Sequence, residues 1–319
     1  MKAIFKKNKP DIFTELNIPR PKKTKHKKLE EFKDFLTVLP ALVFFGIFIY
    51  YPLAELFRVS FTNWNLIKDT YKYVGPKNYN WLFNGSGRLQ LINALKVTFT
   101  YTIAEVLITL IGGILLALLF SKMTKMYDSF RTVIFMPKYI GLSTAGIVFS
   151  WILNGQYGIL NYALSAMGFK TVDWLNTEGT ALIGVLFLTA WRVVGYAMII
   201  YLSAMKGISQ DYYEAASLDG ATRTQTFFKI TLPLLSPTTL FLFVTTFISS
   251  MKVFQSIDVM TGGGPYSSTN VMVYWIYQLA FVEFRIDRAA VVSILFFLIL
   301  LICTVLTMKV SDRSVNYDA

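Results

Sequence analysis

The sequence predicts an all-α membrane protein with six transmembrane helices, and three observations lead there. Six apolar runs, at residues 36–57, 91–120, 132–153, 180–202, 234–254 and 289–308, are each long enough to cross a hydrocarbon core of about 30 Å. Charged residues make up only 16% of the chain against about 25% in a soluble domain. The apolar share is 54%, and mean hydropathy is +0.49. The net charge of +12 is concentrated ahead of the first run, which the positive-inside rule assigns to the cytoplasm.

Residues 1–33 read as a basic cytoplasmic tail (Lys2, Lys6, Lys7, Lys22, Lys23, Lys27 and Lys28 among others), too polar to bury a core of its own. A solvated tail near anionic lipid fits better than a nucleic-acid-binding arm, because no aromatic residues interleave the lysines. A cleavable signal peptide is a poor fit: the apolar run that follows is too long and no small-residue cleavage site comes after it. Residues 34–90 hold the first transmembrane helix, with Pro40 expected in its first turn and Tyr50, Tyr51 and Trp64 near the outer interface, and then a polar outer segment. Residues 91–309 hold the other five spans. Within them a short loop carries Lys122, Lys125 and Arg131, and the outer segment 154–179 has Lys170 as its single cation. An outer loop between the fifth and sixth runs contains Thr261-Gly262-Gly263-Gly264-Pro265. Residues 310–319 form a short tail. Six spans put both termini in the cytoplasm. Arg58, Lys68, Lys72, Lys77 and Arg88 in the first outer loop run against that orientation, and the larger N-terminal excess outweighs them.

Several chemistries are excluded. Cys303 is the sole cysteine and His26 the sole histidine, so neither an internal disulfide nor a Cys/His zinc site can be built. No GxxxxGK[ST] occurs, and Gly262-Gly263-Gly264 is followed by Pro265 rather than by a phosphate-binding lysine. A Ser–His–Asp set is also missing. The chain reads as a conduit, not an enzyme. Glu105 and Arg192 fall inside apolar runs, where each charge costs at least about 2.5 kcal/mol unless it meets a cavity or a partner. Cavity lining and structural pairing are both open for these two. Lys252 and Asp258 are expected at the outer interface, where long side chains snorkel.

The polar stretch between the fourth and fifth runs is the most patterned. Ser209 is placed to cap a short helix with Asp211 and Glu214 in its first turns, and Gly220 stands where that helix would stop. Thr222 or Thr224 can cap a second piece that runs to Ile230, with Phe227, Phe228 and Ile230 on its apolar side and Pro233 after it. The spacing Glu214-Ala215-Ala216, three residues, Gly220, nine residues, Ile230, one residue, Leu232-Pro233 resembles the EAA loop of bacterial ABC importer permeases.

The resemblance implies a fold of the binding-protein-dependent ABC permease type, with this loop as a cytoplasmic coupling helix that docks on an ATPase subunit. Glu214, Ala215, Ala216, Asp219, Gly220, Ala221, Ile230, Leu232 and Pro233 are the residues it assigns to coupling. From about Asn93 to Met308 the chain is similar to the carbohydrate-uptake branch, the maltose-type sugar permease family. Trp191, Gly195-Tyr196, Asp219-Gly220-Ala221, Pro233 and Thr261–Pro265 recur there. By that likeness a sugar would be met by Trp191, Arg192, Val193, Tyr196, Thr246, Ser249, Ser250 and Val253. Aromatic rings suit the apolar face of a pyranose and hydroxyls suit its OH groups. Thr246, Ser249, Ser250 and Val253 recur at intervals of three and four and share a helical face, although small residues there equally serve helix packing. The family pattern has an aromatic and two amides where this chain has Ser249, Ser250 and Val253, which points to a different ligand. Arg192 hints at an anionic sugar.

The resemblance further implies a second homologous permease subunit, two ABC ATPase subunits and an extracytoplasmic sugar-binding protein. ATP and Mg would be held on the ATPase partners, with no cofactor in this chain, no metal and no nucleic acid; lipid would surround it in the cell membrane. Two other readings stay open: an ABC permease for another cargo, or an ion-coupled secondary transporter with Glu105 as its proton site.

Overall fold

Side-chain composition dictates helices throughout, and helices are what form. The computed structural model describes residues 25–67, 70–121 and 125–314, so the lysines before residue 25, Lys68, Lys122 and the chain after 314 lie outside the described residues. Among the described residues the only pairing of β type is an isolated antiparallel bridge between Thr62 and Tyr73. The chain divides into two units, Met1–Leu56 and Phe57–Ala319.

The first unit is helical from Lys25, where Lys, Glu and Leu favour helix, so Pro40 falls inside the helix and not in its first turn as its place in the apolar run suggests. The span itself, α1 (Phe32–Ser60), is 29 residues long with a π-turn at Gly46–Tyr50. None of its side chains up to Leu56 is buried, and Phe44, Phe48 and Tyr50 are widely exposed. An apolar helix of this length with no buried face is suited to lipid, not to water.

The second unit contains α2 (Lys77–Asn84), α3 (Gly87–Leu119), α4 (Asp128–Tyr139), α5 (Leu142–Ile152), α6 (Ile159–Ala166) and α7 (Ala181–Lys206). These are followed by α8 (Gln210–Leu218), α9 (Arg223–Leu234), α10 (Ser236–Met251), α11 (Gln255–Met260), α12 (Met272–Val282) and α13 (Ile286–Ser314). Among the described residues four helices, α1, α3, α7 and the Ile286–Lys309 part of α13, are long and apolar enough to cross a membrane alone, and counting each of two bent pairs as one span gives six.

The bent pairs correct the expected spans. Run 132–153 is two helices, α4 and α5, meeting at 104°. Pro137 tightens the end of α4 into a 3-10 turn, and Gly141 is extended (φ −54, ψ 132), so the ladder stops and restarts. Run 234–254 also yields: α9 and α10 meet at 63°, Pro237 opens α10, and the helix ends at Met251 with α11 as a separate piece.

Close approach between helices rests on small residues. A Cβ on Gly113 would lie 2.5 Å from the Ala197 Cβ, and one on Gly195 would overlap the Ile134 carbonyl of α4. Membrane helices lack a hydrophobic drive toward one another, so such backbone-to-backbone packing supplies much of the attraction. Polar bonds between helices add to it: Tyr101 and Thr189 hydroxyls lie 2.8 Å apart, and the Tyr201 hydroxyl donates to Thr239 at 3.2 Å. The start of α12 is tied to α3, since the Met272 amide donates to the Thr98 hydroxyl at 2.9 Å. That bond satisfies a helix-terminal donor which, in the absence of water, would be orphaned.

The segment after α5 is organised by one amide. Asn161 Nδ2 donates to the Gly155 and Val172 carbonyls at 2.9 and 2.8 Å, while its Oδ1 accepts from the Val172 amide and the Trp174 indole, each at 3.1 Å. On the final helix Asp287 is 1% exposed and accepts two hydrogen bonds from Arg285, at 3.0 and 2.9 Å. This pairing is what makes a buried carboxylate tolerable.

Candidate functional site: a charged cavity and a surface turn

Two regions gather the residues that sequence reasoning singled out. The first is a pair of adjoining cavities between α3, α4, α7 and α10, sharing Glu105, Val193 and Ser249. One, of about 400 Å³, is lined by Tyr101, Arg192, Lys252, Phe254 and Gln255 among others; the second, of about 280 Å³, by Lys138, Tyr196, Thr245 and Thr246 among others. Glu105 is 7% exposed on α3, beside the Tyr101–Thr189 hydroxyl pair. Arg192 is half-buried on α7; its Nη2 donates to the Lys138 carbonyl at 3.4 Å, and its buried Nε has no hydrogen-bond partner. The Lys138 ammonium stands 4.7 Å from the centre of the Tyr196 ring.

Arg192, Val193, Tyr196, Thr246, Ser249 and Val253 all reach these cavities. Trp191 and Ser250 line neither. Trp191 packs on Phe149 of α5 with ring centres 5.3 Å apart, and Ser250 is 1% exposed with its hydroxyl donating to the Phe247 carbonyl at 3.0 Å. A step of one residue turns a helical side chain by about 100°, which carries each away from a neighbour that does face the space. Lys252, expected at an outer interface, is exposed, and it also lines the first cavity, just past the end of α10 at Met251. Asp258 is exposed on α11. Sequence reasoning missed Lys138. Its signal was available: a cation inside an apolar run, directly after Pro137.

The second region is the turn between α7 and α9. Ser209 Oγ accepts from the Asp211 amide at 3.3 Å and opens α8. Gly220 ends it at φ +71: its amide donates to the Ser217 carbonyl at 3.1 Å and the Ala221 amide to the Ala216 carbonyl at 2.9 Å, the paired bonds of a Schellman ending. Thr222 then caps α9 in a capping box, with the Gln225 amide on its hydroxyl at 3.3 Å and its own amide on Gln225 Oε1 at 2.8 Å. A concavity of about 750 Å³ lies in the elbow, lined by Ala215, Ala216, Asp219, Gly220, Ala221 and Ile230 among others; Glu214, Leu232 and Pro233 lie outside its lining. Phe228 departs from the expected apolar side: it is 60% exposed, while Phe227 and Ile230 are half-buried. Leu218 projects beside Gly220 with 89% of its surface exposed.

Thr222→Ala removes the cap hydroxyl and is expected to cost about 1 kcal/mol of local stability. Amide hydrogen exchange should quicken at Arg223–Thr226 and stay unchanged in α7; no change at the cap would contradict the box.

Comparison with known proteins gives a consistent result. A family profile described as "Binding-protein-dependent transport system inner membrane component" matches residues 109–317, a stretch that holds the surface turn and the cavity lining other than Tyr101 and Glu105. The probable ABC transporter permease protein YurN of Bacillus subtilis (strain 168) is 32% identical over 279 residues, covering 86% of this chain and 94% of that relative. The multiple sugar-binding transport system permease protein MsmF of Streptococcus mutans is 28% identical over 292 residues, covering 91% and 99%. Among solved structures, a chain of a bacterial alginate ABC transporter, crystallised in complex with an alginate pentasaccharide-bound periplasmic protein, superposes with a TM-score of 0.78. It is 25% identical and covers 91% of this chain and 98% of that one.

Proposed function

Because the chain belongs to the binding-protein-dependent transport-system inner-membrane family, whose members are membrane channel subunits and not enzymes, we propose that it is a permease subunit of an ATP-driven importer for carbohydrate. The observation that carries the reading is the family match itself, which covers the turn and all of the cavity lining except Tyr101 and Glu105. The names of MsmF and of the alginate transporter support a carbohydrate cargo, and the latter's complex supports delivery by a binding protein.

In this reading a second homologous permease chain completes the path, and two ATPase subunits, holding ATP and Mg, dock at the coupling turns from the cytoplasm. Both termini face that side. The cavity residues contact sugar, and Asp219-Gly220-Ala221 with their neighbours transmit ATPase closure. Transport then follows from two global states that bind cargo and nucleotide unequally.

An affinity pull-down of the full chain from native membranes in mild detergent, followed by mass spectrometry, tests this. A P-loop ATPase and a second permease bearing the same turn are expected in the eluate. Recovery of the folded chain alone, with transport dependent on an ion gradient and insensitive to ATP, would replace the reading with a secondary transporter, and Glu105→Gln would then be the variant to examine.

A further inference from the structure

We propose that the cargo of this permease is an anionic carbohydrate whose acidic group is received by Arg192, Lys138 and Lys252. The proposal rests on the carbohydrate-importer reading and names the class of sugar. Three cations from three elements line the adjoining cavities: Lys138 at the end of α4, Arg192 in the middle of α7 and Lys252 just beyond α10. A single carboxylate, Glu105, lines the same space. Among the described residues no ion pair of 4 Å or less involves any of the three cations or Glu105.

Lys138 and Lys252 are exposed and Arg192 is half-buried, and three cations gathered on one cavity repel one another unless something neutralises them. Glu105 answers only one of the three. The Arg192 Nε donor is buried without an acceptor, and the one bond its side chain makes is long, at 3.4 Å. A buried donor without a partner costs about 1–3 kcal/mol. A neutral sugar's hydroxyl can accept from that donor but leaves the charge imbalance in place. A carboxylate, sulfate or phosphate would remove both, and a guanidinium presents the paired donors that a planar carboxylate accepts. The rest of the lining suits a sugar ring: Ser249, Gln255 and Thr189 offer hydroxyl and amide partners, and Phe254 and Tyr196 offer ring faces.

The test uses the complete importer with its binding protein in ATP-loaded proteoliposomes. The probes are a mixture of trigalacturonate, glucuronate, glucose 6-phosphate, maltotriose and galactotriose, and the sugars that accumulate are identified by mass spectrometry. Accumulation of an acidic member is expected, and which one accumulates separates carboxylate from phosphate. The binding protein's affinity for each probe is measured separately, so that its selectivity is not mistaken for the cavity's. Arg192→Gln and Lys252→Gln should each lower uptake of that member about tenfold, or about 1.4 kcal/mol, while Arg192→Lys should keep most of it. Accumulation of only the neutral sugars would overturn the anionic proposal and leave the carbohydrate reading standing. Accumulation of none, with ATP still hydrolysed, would sink both. Arg192→Lys as impaired as Arg192→Gln, with both proteins folded and assembled, would also overturn it by showing that charge at this position is not what matters.

Discussion

Gly195→Leu is expected to abolish the folded protein, and Gly195→Ala to destabilise it. Gly195 sits in α7 where α4 crosses it, and even one added carbon overlaps the Ile134 carbonyl and comes within 3.1 Å of the Phe135 Cα. Those are backbone atoms of a neighbouring helix, so no rotamer change relieves the overlap; α4 itself must move away. Overpacking of this kind costs about 1–3 kcal/mol for small additions. Moving α4 also moves Lys138, and with it the ammonium stacked on Tyr196. Gly46→Ala is the control: an added carbon there meets no atom within 4 Å, so it should be neutral. Thermal unfolding in detergent, followed by size-exclusion fluorescence, should rank wild type and Gly46→Ala together, Gly195→Ala lower, and Gly195→Leu as aggregate. A Gly195→Ala protein that melts with wild type would refute the packing account.

Gly220→Asp is expected to reduce uptake at least about tenfold while leaving the amount of membrane protein unchanged. A left-handed residue other than glycine costs about 1–2 kcal/mol, and aspartate bears this better than most. A Cβ added at Gly220 meets no atom within 4 Å, so the first carbon of the new side chain meets no clash. The variant instead sets a third carboxylate beside Asp211 and Asp219 at the rim of the concavity, on the surface proposed to meet the ATPase. Gly220→Ala separates the two contributions, since it keeps the strain and adds no charge. It should transport far better than Gly220→Asp. Measuring ATP hydrolysis and uptake together in proteoliposomes decides the matter: hydrolysis that continues without uptake marks lost coupling, and wild-type uptake by Gly220→Asp would remove the turn from the mechanism.

Hydropathy makes the six spans legible, because a bilayer sets both length and composition. It is blind to direction within a span. The break between α4 and α5 sits in a run that is apolar but for Lys138 and a few small polar residues, and Pro137 and Gly141 betray it. The caps around Gly220 are readable because each answers a local hydrogen-bond need at fixed spacing. The cavity is only half readable. Glu105 and Arg192 announce themselves by the cost of charge in lipid, whereas the part Lys252 takes in the cavity wall is hidden when α10 is taken to run on to residue 254, and Ser250 turns away from the cavities within the helix. Of Thr246, Ser249, Ser250 and Val253, all but Ser250 reach the cavities, although Val253 lies past the end of the helix at Met251.

The length of α3 has a consequence for where cargo is first met. Its 33 residues span about 50 Å at 1.5 Å per residue. At the steepest common tilt, about 40°, a hydrocarbon slab of about 30 Å swallows roughly 26 residues, so about seven must stand clear of it. The far end, through Leu115 and Leu119, is wholly apolar, whereas the first turns hold Arg88, Gln90 and Asn93. The overhang is therefore at the Gly87 end. From it the Asn93 amide donates to the Ser267 carbonyl at 2.8 Å, in the loop that follows α11. Asn93 is the innermost of those seven residues, so the bond holds that loop no deeper than the edge of the hydrocarbon, at or beyond the headgroup layer.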